Sequence, residues 1–244
     1  MELSTQALLA FGILALAYYI RGISGYGSGL LAIPTLALFM PLGQIVPVIA
    51  VLDFLAALTQ GLRYHKLVNW QELGLLVPIA TLGMGLGLLL LNHIDGETLK
   101  PWLGAFISIY AIYTLLPQTQ QRISARWSMP LSTTGGMVDT LFGTGGPFFV
   151  IYLRLRQLDK TVFVATIAMT FMLNLFIRIG AYGVAGFYTV DMLLLILAGL
   201  PIMLLAMILG MRTHHRISAQ QFRVIIAMLL IVSGIGLLTH SGAE

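Results

Sequence analysis

No cysteine occurs anywhere in the 244 residues. That absence excludes disulfides, thiolate metal sites and a cysteine nucleophile, and it leaves the redox compartment unmarked. Charge is nearly as scarce: Asp, Glu, Lys and Arg make up 9% of the chain, against about 25% in an ordinary soluble domain. So few charges cannot coat a water-facing surface, so composition points to an integral membrane protein. Apolar residues fill the chain instead, at 58% hydrophobic with a mean hydropathy of +0.94. The formal net charge of +4 does not signal nucleic acid, because the cations fall in short loops between apolar runs, where they set orientation. The opening run carries Glu2 and no Lys or Arg ahead of it, unlike a secretory signal, and is read as part of the mature protein. There is no HExxH motif, and the histidines at 65, 93, 214, 215 and 240 lie in loops or the tail. No metal or other cofactor is expected.

A bilayer crossing takes roughly 20 apolar residues in a helix. Six segments qualify, at about 43–62, 71–91, 98–116, 161–180, 190–211 and 219–239. Residues 7–40 are apolar but interrupted at 21–29; split there, the arms run to about 14 and 11 residues, each short of a crossing. Residues 129–156 repeat the pattern, with a break at "DTLFGTGGP". The two halves also match. Gly25 aligns with Gly143, Gly27 with Gly145, Pro78 with Pro201 and Gly87 with Gly210, while "IDGETLK" at Ile94 aligns with "ISAQQFR" at Ile217. This is the signature of a tandem duplication of about 120 residues.

Loop cations discriminate between parallel and inverted halves. If each broken region is one kinked crossing, the halves are parallel and the cations divide four against seven. If each is a hairpin that enters and leaves on one side, the halves are inverted. Then Arg63, Lys66, Arg122, Arg126, Arg154, Arg156, Lys160, Arg212, Arg216 and Arg223 share one face, and only Lys100 is opposite. Ten against one follows the positive-inside rule. The expected fold is therefore an all-α integral membrane protein, an inverted repeat of two halves. Each half holds one glycine-broken re-entrant helical hairpin and three transmembrane helices. Residues 1–117 form the first repeat, 118–128 a cytoplasmic linker and 129–244 the second repeat of one membrane domain, with both termini outside.

Irregular backbone at membrane depth must be covered by protein or line a cavity, so both glycine tips are expected to point into the bundle and to meet near the midplane, where secondary transporters bind substrate. A half-helix should start after each tip, near Leu30 and Phe148, with unpaired N–H groups and the positive end of its dipole facing the gap. Glycine lets an anion approach those donors closely. The candidate binding residues are Ser24, Gly25, Tyr26, Gly27, Ser28 and Gly29 at the first tip and Gly143, Thr144, Gly145 and Gly146 at the second. Four charges fall inside membrane segments: Arg21, Asp53, Asp139 and Arg178. Each costs at least about 2.5 kcal/mol there unless partnered or employed. They sum to zero, so two internal ion pairs would satisfy them. Alternatively, Arg178 or Arg21 is a substrate counter-ion, and Asp53 or Asp139 a protonatable coupling group. Asp53 and Asn174 lie at the middles of helices that correspond in the repeat, and Asn174 shares a helix face with Arg178. Thr59, Gln60 and the run "LSTTGG" are candidates to line an access route or to bond between helices.

The residues "GISGYGSGLLAIP" and "DTLFGTGGPFFVIYL", placed at matching points of two repeats, resemble the TauE/SafE sulfite and organosulfonate exporter family of membrane permeases. The likeness runs from Leu8 to Leu238. It implies a bacterial inner-membrane carrier of small sulfur-containing anions such as sulfite, thiosulfate or sulfoacetate, with Gly22, Gly25, Gly27, Gly29 and Pro34, and Gly143, Gly145, Gly146 and Pro147, as the motif positions. Ser28 departs from the triple glycine frequent in that family, which leaves substrate choice open. Its partners would be the anion and the lipid bilayer, with no nucleic acid; a homo-oligomer stays open. A passive anion channel and an intramembrane aspartyl enzyme built on Asp53 and Asp139 are the competing classes. A sulfonate that also carries a carboxylate suits two facing tips better than a monovalent anion.

Overall fold

The computed structural model describes residues 2–63, 65–116, 122–213 and 219–240, and among them every regular element is helical. The side chains of Thr59 and Gln60, and His214 and His215, lie outside the described residues. The helices are α1 (Glu2–Ser24), α2 (Ser28–Leu36), α3 (Leu42–Arg63), α4 (Trp70–Leu91), α5 (Gly96–Leu115), α6 (Ser128–Phe142), α7 (Gly146–Leu155), α8 (Lys160–Val184), α9 (Val190–Thr213) and α10 (Ala219–His240). Helices α3, α4, α5, α8, α9 and α10 fall on the six segments expected to span. Among the described residues, Ala7–Ser24, Trp70–Leu91, Lys160–Val184 and Val190–Thr213 are long and apolar enough to cross a membrane.

Both glycine regions break, but more sharply than expected. Arg21 and Gly22 are still helical, because one charge does not stop a helix; the stop is Gly25, whose φ of 84° is left-handed, followed by Gly27 at 93°. The half-helices begin at Ser28 and Gly146, two residues before Leu30 and Phe148, each directly behind a glycine. Pro147 stands in the first turn of α7, where its missing N–H costs nothing. The first arm is also corrected. Instead of about 14 residues, α1 has 23, and its apolar stretch from Ala7 meets the length of a crossing. Arm length therefore does not force the first region to turn back. The second arms do stay short, 9 residues in α2 and 10 in α7, or about 14–15 Å at 1.5 Å per residue.

The chain divides into two compact units, each drawn from both halves of the sequence: residues 1–52, 95–118 and 188–244, and residues 53–94 and 119–187. In the first, α1 lies along α9, α10 lies along α5, and α2 packs against α1 and α10. In the second, α4 lies along α6, α8 packs against α4, and α7 rests on α6 and α8. Glycines set the closest approaches. A Cβ on Gly210 would collide with the Tyr19 carbonyl oxygen of α1, and one on Gly22 with the Met207 carbonyl oxygen of α9. On the α4–α6 contact, a Cβ on Gly136 would strike the Ala80 carbonyl oxygen and one on Gly83 the Thr133 carbonyl oxygen. Small residues inside with leucine outside is the packing rule of lipid-embedded helices. Helix α4 follows it, burying Gly83, Met84 and Gly87 while Leu82, Leu86 and Leu89 are exposed.

Candidate functional site

The best-defined polar constellation lies in the second unit, where α6 ends and α7 begins. Gly143 takes a φ of 65°, so α6 cannot continue. A helix that stops inside a membrane leaves its last carbonyls without intrahelical partners. They are met from two directions. The Gly143 N–H donates back to the Asp139 carbonyl at 2.8 Å, and α8 supplies the Arg178 guanidinium to that same carbonyl and the Tyr182 hydroxyl to the Thr140 carbonyl. Arg178 and Tyr182 are one turn apart on α8, and a cation suits the negative end of the α6 dipole.

The Asp139 side chain turns the other way, to the start of α7. Its Oδ1 accepts the Gly145 N–H at 3.2 Å and lies 3.0 Å from Nη1 of Arg178. One carboxylate oxygen thus sits where a helix N-terminus and a guanidinium converge. This is the geometry of an oxyanion site, filled by the chain's own acid. Only glycine fits at the crossing: a Cβ on Gly145 would meet the Gly135 carbonyl oxygen and stand 2.5 Å from the Asp139 Cβ. Asp139 and Arg178 therefore form one of the internal ion pairs the sequence allowed for.

Around this pair are polar atoms with nothing to bind. Thr144, 2% exposed in the tip turn, has an unpartnered hydroxyl, and Asn174, 1% exposed and one turn before Arg178, has neither amide atom bonded. A buried polar group left unsatisfied costs about 1–3 kcal/mol, which makes the Thr144 hydroxyl and the Asn174 amide candidate positions for hydrogen bonds to a ligand. The Phe54 ring of α3 and the Phe176 ring of α8 have centroids 6.0 Å apart. Asp53, buried next to Phe54, is in electrostatic range of Asp139.

At the first break, in the other unit, the same backbone device recurs: the Gly25 N–H donates to the Arg21 carbonyl at 2.6 Å. Arg21 occupies the position, four before the left-handed glycine, that Asp139 holds at the second break. One break carries a cation there and the other an acid. The Arg21 guanidinium reaches across to the Ser28 hydroxyl at 2.8 Å, at the first residue of α2, and both side chains are buried. The Ser24 hydroxyl was expected among the ligand-binding groups. It is engaged by its own backbone, with Ile20 O at 2.9 Å and Tyr26 O at 2.6 Å, which closes the turn. Gly29 is buried in the first turn of α2.

Sequence reasoning passed over a further buried acid. Glu72, at the start of α4, accepts the Tyr152 hydroxyl on Oε2 and the Arg156 Nε on Oε1, both at 2.6 Å, while Arg156 Nη1 donates to the Ile123 carbonyl at 2.8 Å. Asn69 caps α4 and fixes that turn by accepting the Gln71 and Glu72 N–H groups. Helix α7 is therefore held by a carboxylate at each end, Asp139 at its tip and Glu72 at its base. The available signal was that Glu72 is the sole charge on an otherwise apolar helix.

Comparison with known proteins agrees with this membrane architecture. The chain is 27% identical over 198 residues, 79% of its length and 82% of the relative, to the "Probable inner membrane transporter protein TsaS" of Comamonas testosteroni. It is 25% identical over 172 residues to a "Probable membrane transporter protein" of Haemophilus influenzae, covering 64% of this chain and 65% of the relative. No solved structure matches. The family description "Sulfite exporter TauE/SafE" matches residues 9–237, nearly the whole chain, and the protein belongs to that family of membrane transporters.

Proposed function

We propose that the chain is a secondary transporter of small sulfur-containing anions, sulfite or organosulfonates such as sulfoacetate, across the bacterial inner membrane in the direction of export. The observation that carries this reading is the α7 tip, where the Gly145 N–H and Arg178 hold a carboxylate oxygen as they would hold an oxygen of a sulfonate. Thr144 and Asn174, with unpartnered atoms beside them, supply further hydrogen bonds to the remaining oxygens. The match between Gly25, Gly27 and Ser28 at the first break and Gly143, Gly145 and Gly146 at the second supports a role for both breaks in handling the anion, with Arg21 as the cation at the first. On this reading residues 1–117 and 129–244 are inverted repeats joined by the cytoplasmic linker 118–128, both termini face outside, and alternating access exchanges the site between the two sides. Proton coupling passes through a buried carboxylate.

The test is uptake of labelled sulfite and sulfoacetate into proteoliposomes holding the purified chain. Saturable flux that each anion inhibits in the other is expected, and Asn174→Leu should raise the half-saturating concentration at least tenfold. Flux that rises linearly with concentration would make the protein a passive channel. Because the chain has no cysteine, single cysteines placed at residues 8 and 127 report sidedness against a clean background.

A further inference from the structure

Resting on the reading of the α7 tip as the anion site, we infer that an anion binds there only together with a proton that neutralises Asp139, one proton for each anionic group delivered to the tip. The same donors serve both. Gly145 N–H and Arg178 Nη1 converge on Asp139 Oδ1, so an ionised Asp139 is an internal competitor for the substrate's oxygen.

Charge balance within the Asp139–Arg178 pair, with the charge of Asp53 the same before and after, gives the stoichiometry. The charged and titratable groups near Asp139 can be named by element: Arg178 and the Tyr182 hydroxyl from α8, and Asp53 from α3. Helix α4, packed along α6, carries only Glu72, engaged at the base of α7 with Tyr152 and Arg156. On α7 the ionisable groups are Tyr152 and Arg154, toward its C-terminal end, and Asp139 is the sole ionisable group of α6. With Asp139 ionised, the pair it makes with Arg178 sums to zero, and an arriving monoanion leaves a net negative charge buried beside Asp53. With Asp139 protonated, Arg178 pairs with the anion and the sum returns to zero. The proton comes from bulk water onto the carboxylate, no other bond is made or broken, and the neutral carboxyl is free to donate to the anion. Unpaired charge at membrane depth is what such sites avoid.

A monoanion and its proton then cross as a neutral pair. The membrane potential does not drive that step; the pH gradient and the anion gradient do. Export proceeds when the anion's inside excess outweighs the opposing proton gradient.

The experiment is isothermal titration of the full chain in detergent with methanesulfonate, which stays ionised throughout pH 5.5–8, in two buffers of different ionisation enthalpy. The expected result is uptake of close to one proton per anion and an affinity that falls up to tenfold per pH unit in the upper part of the range. Asp139→Asn, which mimics the neutral acid, should bind with no proton uptake and no pH slope, and methanesulfonate should raise its melting temperature. If that variant does not fold, the wild-type titration decides alone. Wild-type binding without proton uptake overturns the inference, and if Asn174→Leu still weakens that binding, the site itself survives. Binding indifferent to pH, to Asp139→Asn and to Asn174→Leu removes both the inference and the site, as does wild-type protein that binds no methanesulfonate at pH 5.5.

Discussion

Replacing Arg178 by glutamine should be among the most damaging single changes in the chain, and replacing Asp139 by asparagine in the same molecule should repair much of the damage. At the observed 3.0 Å between Nη1 and Oδ1, and an effective dielectric near 20, the Coulomb attraction is about 5.5 kcal/mol. Desolvation offsets part of it, and truncating one partner of a buried pair costs about 3–5 kcal/mol because the other charge is stranded. Arg178→Gln also removes the donor to the Asp139 carbonyl, reopening the C-terminus of α6. For a chain of this size the loss lowers the melting temperature on the order of 10 °C. The double variant leaves no stranded charge, so its cost should fall short of the sum of the singles by about 2 kcal/mol or more. Thermal unfolding in detergent, followed by tryptophan fluorescence with denaturant titration for the free energies, measures all three. Additive singles, or an Arg178→Gln protein that melts with wild type, would show that this pair does not hold α6 to α8.

Gly136→Ala drives a methyl into the Ala80 carbonyl and should cost about 1–3 kcal/mol by prying α4 from α6, whereas Gly85→Ala, with nothing within 4 Å of the new methyl, should stay within about 0.5 kcal/mol; the same melting assay separates them. Tyr152→Phe removes a hydrogen bond to a charged acceptor and should cost about 1.5–3 kcal/mol. Its effect should be lost in a Glu72→Gln background if the carboxylate is the partner that matters.

The six long helices were legible because a run of about 20 apolar residues can do little else in a bilayer. The breaks were legible because clustered glycines interrupt two apolar runs at matching points of the repeat, yet their edges were misplaced. The first interruption was set at 21–29, whereas the helix runs on to Ser24 and stops at the left-handed Gly25. The four buried charges announced themselves by type and summed to zero, but that Asp139 pairs with Arg178 depends on α6 meeting α8, and no local pattern encodes a contact 39 residues apart. Glu72 went unnoticed because it stands at the edge of its helix, where a lone acid reads as loop solvation. The division into units that mix both sequence halves was equally hidden, since matching glycines such as Gly87 and Gly210 show that a close approach exists without naming the helix that makes it.

The pairing of α1 with α9 has a consequence for biosynthesis. Helix α1 leaves the ribosome long before its glycine-lined partner, because α1 ends at Ser24 and α9 begins at Val190. At about 5–20 residues per second, α1 must wait in the bilayer on the order of ten seconds or more with Gly22 uncovered. The α4–α6 contact, by comparison, is complete once residue 142 has emerged. Any chain released before α9 therefore leaves a long-lived orphan helix, open to surveillance proteases, however well its middle has already closed.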